Sequence, residues 1–299
     1  MLKRLLGLII IWLHRFWLPL SITVGMLVVA FSFMMVLLVK QQITVQIDNI
    51  PIRNSIGVLQ PAQGVLKKGE HLNILQKKDD WYQVRRENES TGWVASWLLE
   101  RKTPVKHMGT LAEATIVLDP GHGGSDSGAL STDENHFEKT YTLRLARQVR
   151  DVLENDYGAH VVMTRNSDKI VYLSQIPKLA EDNHGDAFIS FHFDSAPDAN
   201  VASGFTAYYY HTKNDSKLLA TDVNDAMDPV MPLQNKGVEF GDFLVIRDTT
   251  VPSILLENGY INDDNDFAYI RSTKYQKTIA DSIPKGLQNY FTQVAKENN

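Results

Sequence analysis

The chain has 299 residues, 43% apolar and 22% charged, with a formal net charge of −5, which excludes a disordered, collagen-like or staple-dependent miniature protein and implies packed domains. The charge is uneven: Lys3, Arg4, Arg15 and Lys40 stand in the first 40 residues with no acid, leaving −9 on the other 259. Such an acidic body lacks the clustered Lys and Arg of a nucleic-acid footprint, so no nucleic-acid partner is expected, and the absence of cysteine excludes disulfides, thiolate chemistry and Cys-based zinc sites.

Phe16 to Val39 is a run of 24 residues without a charge, which at about 1.5 Å per residue spans a hydrocarbon layer of roughly 30 Å. Positive charge concentrates before the run, at Lys3, Arg4 and Arg15, and only Lys40 follows closely. This bias keeps the N-terminus in the cytoplasm and sends everything after Lys40 across the membrane. Residues 1–40 therefore read as a cytoplasmic tail and single-pass anchor, with the body extracytoplasmic. A cleaved secretion signal is the alternative, but the apolar core is long for that role. Met, Leu and Val also fill its exit side, where a small-residue cleavage site belongs.

From residue 41 to 100 the pattern is of short strands, with alternation in His71–Leu75 and Trp81–Arg85 and turn signals at Lys68-Gly69, Asp79-Asp80 and Glu89–Gly92. This predicts a small all-β barrel. Gly69, Trp81, Val84, Gly92, Trp93, Val94 and Leu98 resemble the bacterial SH3 domains found beside cell-wall enzymes, although the opening of that family survives only as Pro51-Ile52-Arg53-Asn54. The resemblance implies either binding of wall peptides or a spacer role. Trp81 and Trp93 suit the barrel core, and Trp97 is the candidate for an exposed binding aromatic.

Residues 101–113 read as a linker, polar and aperiodic through Arg101–Thr110. Beyond it, 114–299 alternates strand and helix patterns. Strands are expected at Ile116–Leu118, Ala159–Met163, Ala187–Phe193, Thr206–Tyr210, Phe243–Ile246 and Ser253–Leu256. Helices are expected at Phe137–Glu154, Leu173–Glu181, Lys217–Met227 and Tyr269–Tyr290. The fold class is α/β, an open and mostly parallel sheet flanked by helices, with loops at the strand ends available for chemistry.

The turn Asp119–Gly124 (DPGHGG) has neither a dinucleotide-binding glycine pattern nor a phosphate-loop ending. His122 follows the first strand, His192 ends a later one, Glu138 opens the first helix and Glu257 ends Ser253–Glu257, so all four stand at ends of core elements. Two imidazoles and a carboxylate with an open fourth position form a catalytic zinc set, and a further carboxylate can take a proton. Satisfied polar residues at element ends are the alternative. Ser125, Ser190 and Ser195 lie in no nucleophile elbow.

Four stretches in order, IVLDPGHGGSDSGA, the Glu138-Lys139 pair, DAFISFHFDSAP and VPSILLENGYINDDND, resemble the zinc-dependent N-acetylmuramoyl-L-alanine amidases of the type 3 class. The resemblance implies His122, Glu138 and His192 as ligands of one Zn²⁺ and Glu257 as the catalytic carboxylate. It further implies peptidoglycan as substrate, for wall remodelling or cell separation. Thr164-Arg165 with Asp168 implies structural or groove roles, and Arg247 a position near the cleft. Glu134 competes with Glu138 but lacks the following lysine, and His136, His160, His184 and His211 match no motif position. Asp194 stands where the family has Asn, and the helix before His184 departs from the family pattern. These departures leave open a wall-binding protein without activity, an enzyme that needs an activating protein, or a zinc peptidase of another specificity.

Overall fold

The computed structural model describes residues 2–297. The N-terminal segment forms one helix, α1 (Leu2–Lys40). Its stretch His14–Met35 has a mean hydropathy of 2.1, and none of it is buried against the rest of the chain. Exposed apolar surface on this scale marks a membrane or protein contact, and α1 is the one helix among the described residues long and apolar enough to cross a bilayer.

Next come β1 (Gln42–Thr44), β2 (Ile50–Arg53), β3 (Ala62–Leu66), β4 (His71–Lys78), β5 (Trp81–Arg85), β6 (Thr91–Ala95) and the short helix α2 (Ser96–Glu100). The strands pair antiparallel in the order β1-β4-β5-β6-β2-β3. Asp79 and Asp80, both at positive φ, make the two-residue hairpin between β4 and β5, the conformation that matches strand twist. Ile50, Ile52, Leu66, Leu72, Val84 and Val94 fill the interior, with Trp81 buried among them and Trp93 partly buried at their edge.

Trp97 does not take the exposed role expected of it. Its Nε1 donates to the carbonyls of Ala112 (2.9 Å) and Gly158 (3.1 Å), and its ring lies against Trp81 and His160. Ala112 lies three residues before the strand that begins at Thr115 and Gly158 two before the one that begins at His160, so the indole ties the barrel to the entry of both strands. Residues 101–113 are fastened too. The Arg101 guanidinium donates to the carbonyls of Glu154 (2.7 Å) and Asn155 (3.0 Å), and Lys106 pairs with Asp156 (2.7 Å). Most strongly, buried Arg53 of the barrel donates through Nε to Glu113 Oε1 (2.8 Å) and through Nη2 to Glu113 Oε2, a bidentate pair.

The C-terminal unit runs β7 (Thr115–Pro120), α3 (Glu138–Val152) with a π-helical end, β8 (His160–Met163), α4 (Ile176–Asp182), β9 (Ala187–Asp194), β10 (Phe205–Tyr209) and α5 (Ser216–Met227). It continues through β11 (Asn235–Phe240), α6 (Leu244–Arg247), β12 (Ser253–Tyr260), α7 (Asp264–Ile270) and α8 (Thr273–Glu297). The sheet order is β11-β10-β12-β9-β7-β8. β7, β8, β9 and β12 run parallel, whereas β10 is antiparallel to β12 and parallel to β11. Phe243–Ile246, expected as a strand, is mostly helix α6: a four-residue apolar run has no period that separates strand from buried helix. Strand β11 has no sequence signal, since NKGVEF, at the sheet edge, carries no apolar run. The expected helix Tyr269–Tyr290 is divided between α7 and α8.

Consecutive strand residues alternate between two covers. Ile116, Leu118, Ile189, Phe191 and Leu256 pack under the cluster formed with α3, α5 and α8. Val117, Phe188 and Leu255 pack with Ile176 and Ala180 of α4 and Val245 and Ile246 of α6. The chain leaves β7 through α3 to β8, then crosses through α4 to β9 on the other side of β7. This reversal opens a crevice at the C-terminal ends of β7 and β9. The barrel sits at the opposite end: Trp97 meets Ala112 and Gly158, and a cavity of about 140 Å³ between the units is lined by Trp81, Thr115, His184 and Asp186, among others.

Two predictions follow for this junction. Arg53→Ala strands a buried Glu113 and is expected to lower stability by about 3 kcal/mol, read by denaturant unfolding of the detergent-solubilised chain, with Arg53→Met/Glu113→Leu recovering most of it. Burial pushes the Asp186 carboxyl up to about 7, the Thr115 N–H opposing and the Glu113 charge adding to it. The folded chain then keeps a proton that an unfolded aspartate releases near pH 4, so stability falls as pH rises from about 4 to about 7. Asp186→Asn should flatten that slope in unfolding curves taken across the range.

Candidate metal centre

β7 ends in a turn whose peptide groups are pinned from below. Buried Arg165 donates through Nε to the Pro120 carbonyl (2.8 Å) and through Nη2 to the carbonyls of Gly121 and Lys139 (both 2.9 Å). The Thr142 hydroxyl also donates to the Gly121 carbonyl (2.8 Å). Buried Asp119 accepts from Thr164 Oγ1 (2.6 Å) and Ser190 Oγ (2.7 Å). These bonds hold His122 at φ 65°, a left-handed conformation that a non-glycine residue keeps only when its surroundings impose it.

Three side chains converge on that turn. Glu138, the first residue of α3, is buried and accepts backbone N–H groups from Ala129 (2.9 Å) and Phe193 (3.0 Å). Its Oε2 lies 3.0 Å from His122 Nε2 and its Oε1 2.9 Å from His192 Nδ1. One ligand atom from each of His122, Glu138 and His192 falls within 4.8 Å of the others. Space around them is tight: a Cβ on Gly128 would stand 2.6 Å from both Glu138 Oε2 and His122 Cδ2, and one on Gly121 would strike the His192 ring.

The electrostatics suit a cation. Burial works to raise the Glu138 pKa, but hydrogen bonds and charge from His122 and His192 hold it well below the usual carboxylate range. Burial likewise works against charge on His122, yet Glu138 and Asp126 push its pKa up to about 9. A field that keeps an extra proton there also attracts a divalent ion, which takes the proton's place. The donor set matches catalytic zinc, two imidazoles and one carboxylate. Asp126 Oδ2 engages His122 Nδ1 at 2.9 Å, which leaves Nε2 for a metal in the manner of carboxylate–histidine pairs.

Glu257 lies beside this group, its backbone paired in register with His192. Its Oε2 is buried and has no hydrogen-bond partner among the described residues. Burial raises its pKa well above the ordinary value, and the charges of Glu138 and Asp194 add to the rise.

Other residues singled out from the sequence lie elsewhere. His136 meets the Tyr141 hydroxyl, His160 packs on Trp97, His184 faces Asp79 and His211 contacts the Arg247 carbonyl. The Arg247 guanidinium pairs with Asp242 and Asp248 (both 2.8 Å) at the end of α6, the helix whose Leu244 and Val245 line the cleft beside the histidines. Glu134 caps no helix and stands outside the trio. In the INDDND stretch, Asp263 caps α7, and buried Asp266 accepts the N–H groups of Gly204 and Tyr260, so those acids fasten the fold. Sequence reasoning gave no role to Asp126 or Gly128; the readable signal for Asp126 was its place four residues after His122.

Comparison with known proteins agrees with this geometry. The family described as N-acetylmuramoyl-L-alanine amidase matches residues 116–289, and the bacterial SH3 domain matches 60–100. The chain belongs to the N-acetylmuramoyl-L-alanine amidase family. The probable cell wall amidase LytH of Staphylococcus epidermidis is 37% identical over 256 residues, covering 84% of each chain. Among solved structures, the catalytic domain of CwlV from Bacillus (Paenibacillus) polymyxa superposes with a TM-score of 0.57 at 32% identity, over 60% of this chain and 98% of that one. The CwlD amidase of Clostridioides difficile, solved in complex with the GerS lipoprotein, gives 0.57 at 26% identity, over 60% and 99%. The protein is thus a cell-wall amidase whose activity is directed at peptidoglycan, joined to a bacterial SH3-type barrel. For this amidase, Asp126→Ala is expected to weaken zinc binding about 10- to 100-fold in chelator competition while leaving the fold intact.

Proposed function

We propose that the chain is a zinc-dependent hydrolase of the amide between N-acetylmuramic acid and L-alanine, with His122, Glu138 and His192 holding one Zn²⁺ and Glu257 moving the proton. The observation that carries this reading is an unpaired, buried Glu257 oxygen beside a three-residue ligand set. Zinc in such a set acidifies water and polarises a carbonyl. Glu257, made more basic by burial and by neighbouring negative charge, accepts a proton from the attacking water and delivers it to the leaving amine. Asp126 and the two backbone N–H groups on Glu138 keep the ligands aimed.

The division of labour we assign is a membrane anchor in 1–40, an SH3-like domain in 41–100, a fastened connector in 101–113 and the catalytic domain in 114–299. Positive charge before the apolar run supports a cytoplasmic N-terminus and an extracytoplasmic body, where peptidoglycan lies. Wall remodelling or cell separation is the corresponding role. The CwlD–GerS pairing supports an accessory protein as a further partner of this chain.

The test is mass spectrometry of products from purified peptidoglycan incubated with the zinc-loaded chain and with Glu257→Gln. Stem peptides with a new L-alanine N-terminus, reduced at least about 10²-fold in the variant at equal zinc content, are expected. Products cut at another bond would refute the assignment.

A further inference from the structure

The cleft beside the metal trio encloses about 610 Å³, and its two sides differ in chemistry. Beside Asp119, Gly121, His122 and His192, its lining is Ile170, Val171, Tyr172 and Leu173 together with Leu244 and Val245 of α6, against which Val171 packs. Ile170, Tyr172 and Leu173 are large apolar side chains left 43%, 65% and 59% exposed, where solvent contact gains nothing unless a ligand covers them.

This wall is built rigidly onto the catalytic turn. Asp168 accepts the Gly124 N–H (2.7 Å) and pairs with Lys139 (2.9 Å), whose Nζ also donates to the Gly124 carbonyl (2.7 Å). Gly124 stands at φ 59°, and a Cβ there would come within 2.7 Å of the Ile170 nitrogen. Only glycine lets the segment seat this closely, so the position of Tyr172 is tied to that of His122.

Charge distinguishes the sides. The 170–173 wall carries no ionisable group apart from the Tyr172 phenol. Around Glu257 stand Tyr260 and, from β9, Asp194, and Lys236 reaches over from β11 to place its Nζ on the Tyr260 hydroxyl at 2.8 Å. The substrate is divided in the same way: a neutral chain of N-acetylated sugars on one side of the scissile amide, and a peptide bearing carboxylates and amines on the other. Sugar rings present C–H faces that pack on aromatic and aliphatic surfaces, and apolar walls with few polar groups are the usual lining of such sites.

We propose that Ile170, Tyr172 and Leu173, with Leu244 beside them, form the saccharide subsite, which seats the glycan while the peptide lies towards Lys236. The proposal rests on the amidase reading for the identity of the substrate. It also gives Tyr172 a specificity role separate from the reacting atoms.

The test uses the full chain in detergent, loaded with zinc, as wild type, Tyr172→Ala and Tyr172→Phe. A tetramer of N-acetylglucosamine is titrated by calorimetry, and KM and kcat are measured on polymeric peptidoglycan. Tyr172→Ala should weaken tetramer binding and raise KM, each about five- to tenfold, with kcat within about twofold and zinc content unchanged; Tyr172→Phe should retain wild-type values. Equal tetramer affinity and KM in wild type and Tyr172→Ala would overturn the subsite while leaving the amidase reading intact. Tetramer binding that depends on Tyr172, with peptidoglycan cut only at a bond other than the muramoyl amide, would instead support the subsite and refute the amidase reading.

Discussion

The buried Glu138 carboxylate is the group on which the rest of the centre depends. It opens α3, yet it touches both imidazoles and accepts two backbone N–H groups, one from the loop before α3 and one from β9. A carboxylate this deep is tolerable only when paired and hydrogen-bonded. Its partners meet that condition and in doing so fix the spacing of His122 and His192. Removing either imidazole takes away part of what compensates a buried charge, so the metal site and the local fold share one set of interactions.

Around this point the sheet has a chemical end and a structural end. The C-terminal ends of β7, β9 and β12 carry the trio and Glu257, whereas the N-terminal ends receive the barrel through Trp97 and the Arg53–Glu113 pair. The SH3-type domain therefore lies away from the cleft, firmly attached, and neither covers nor completes the site. Along the chain it stands between α1 and the catalytic unit.

Much of this was legible in the residues. Strand β7 has all six residues buried, so its apolar run announces a covered parallel strand, and α3 shows its buried face as Tyr141, Leu145 and Val149. Histidines and acids at element ends pointed to the centre, but choosing three candidate ligands among 9 histidines and 35 acids needed the ordered motifs of a family. Elements without a local signal stayed hidden. β11 is a polar edge strand, α6 is too short to show a period, and the location of Trp97 depends on carbonyls of residues 112 and 158 that only tertiary structure brings near it. Asp126 and Gly128 were hidden for a related reason, since their roles are defined by atoms of His122 and Glu138.

The central claim is that three side chains hold one catalytic zinc with a position left open. X-ray absorption at the zinc edge, combined with metal analysis of the full chain and of Glu138→Ala, tests it most directly. The account predicts one zinc per chain, with nitrogen and oxygen neighbours at about 2.0–2.2 Å and two imidazole signatures, and loss of the ion in the variant. A chain that stays metal-free after zinc exposure, or a Glu138→Ala protein that keeps zinc in the same environment, would contradict it.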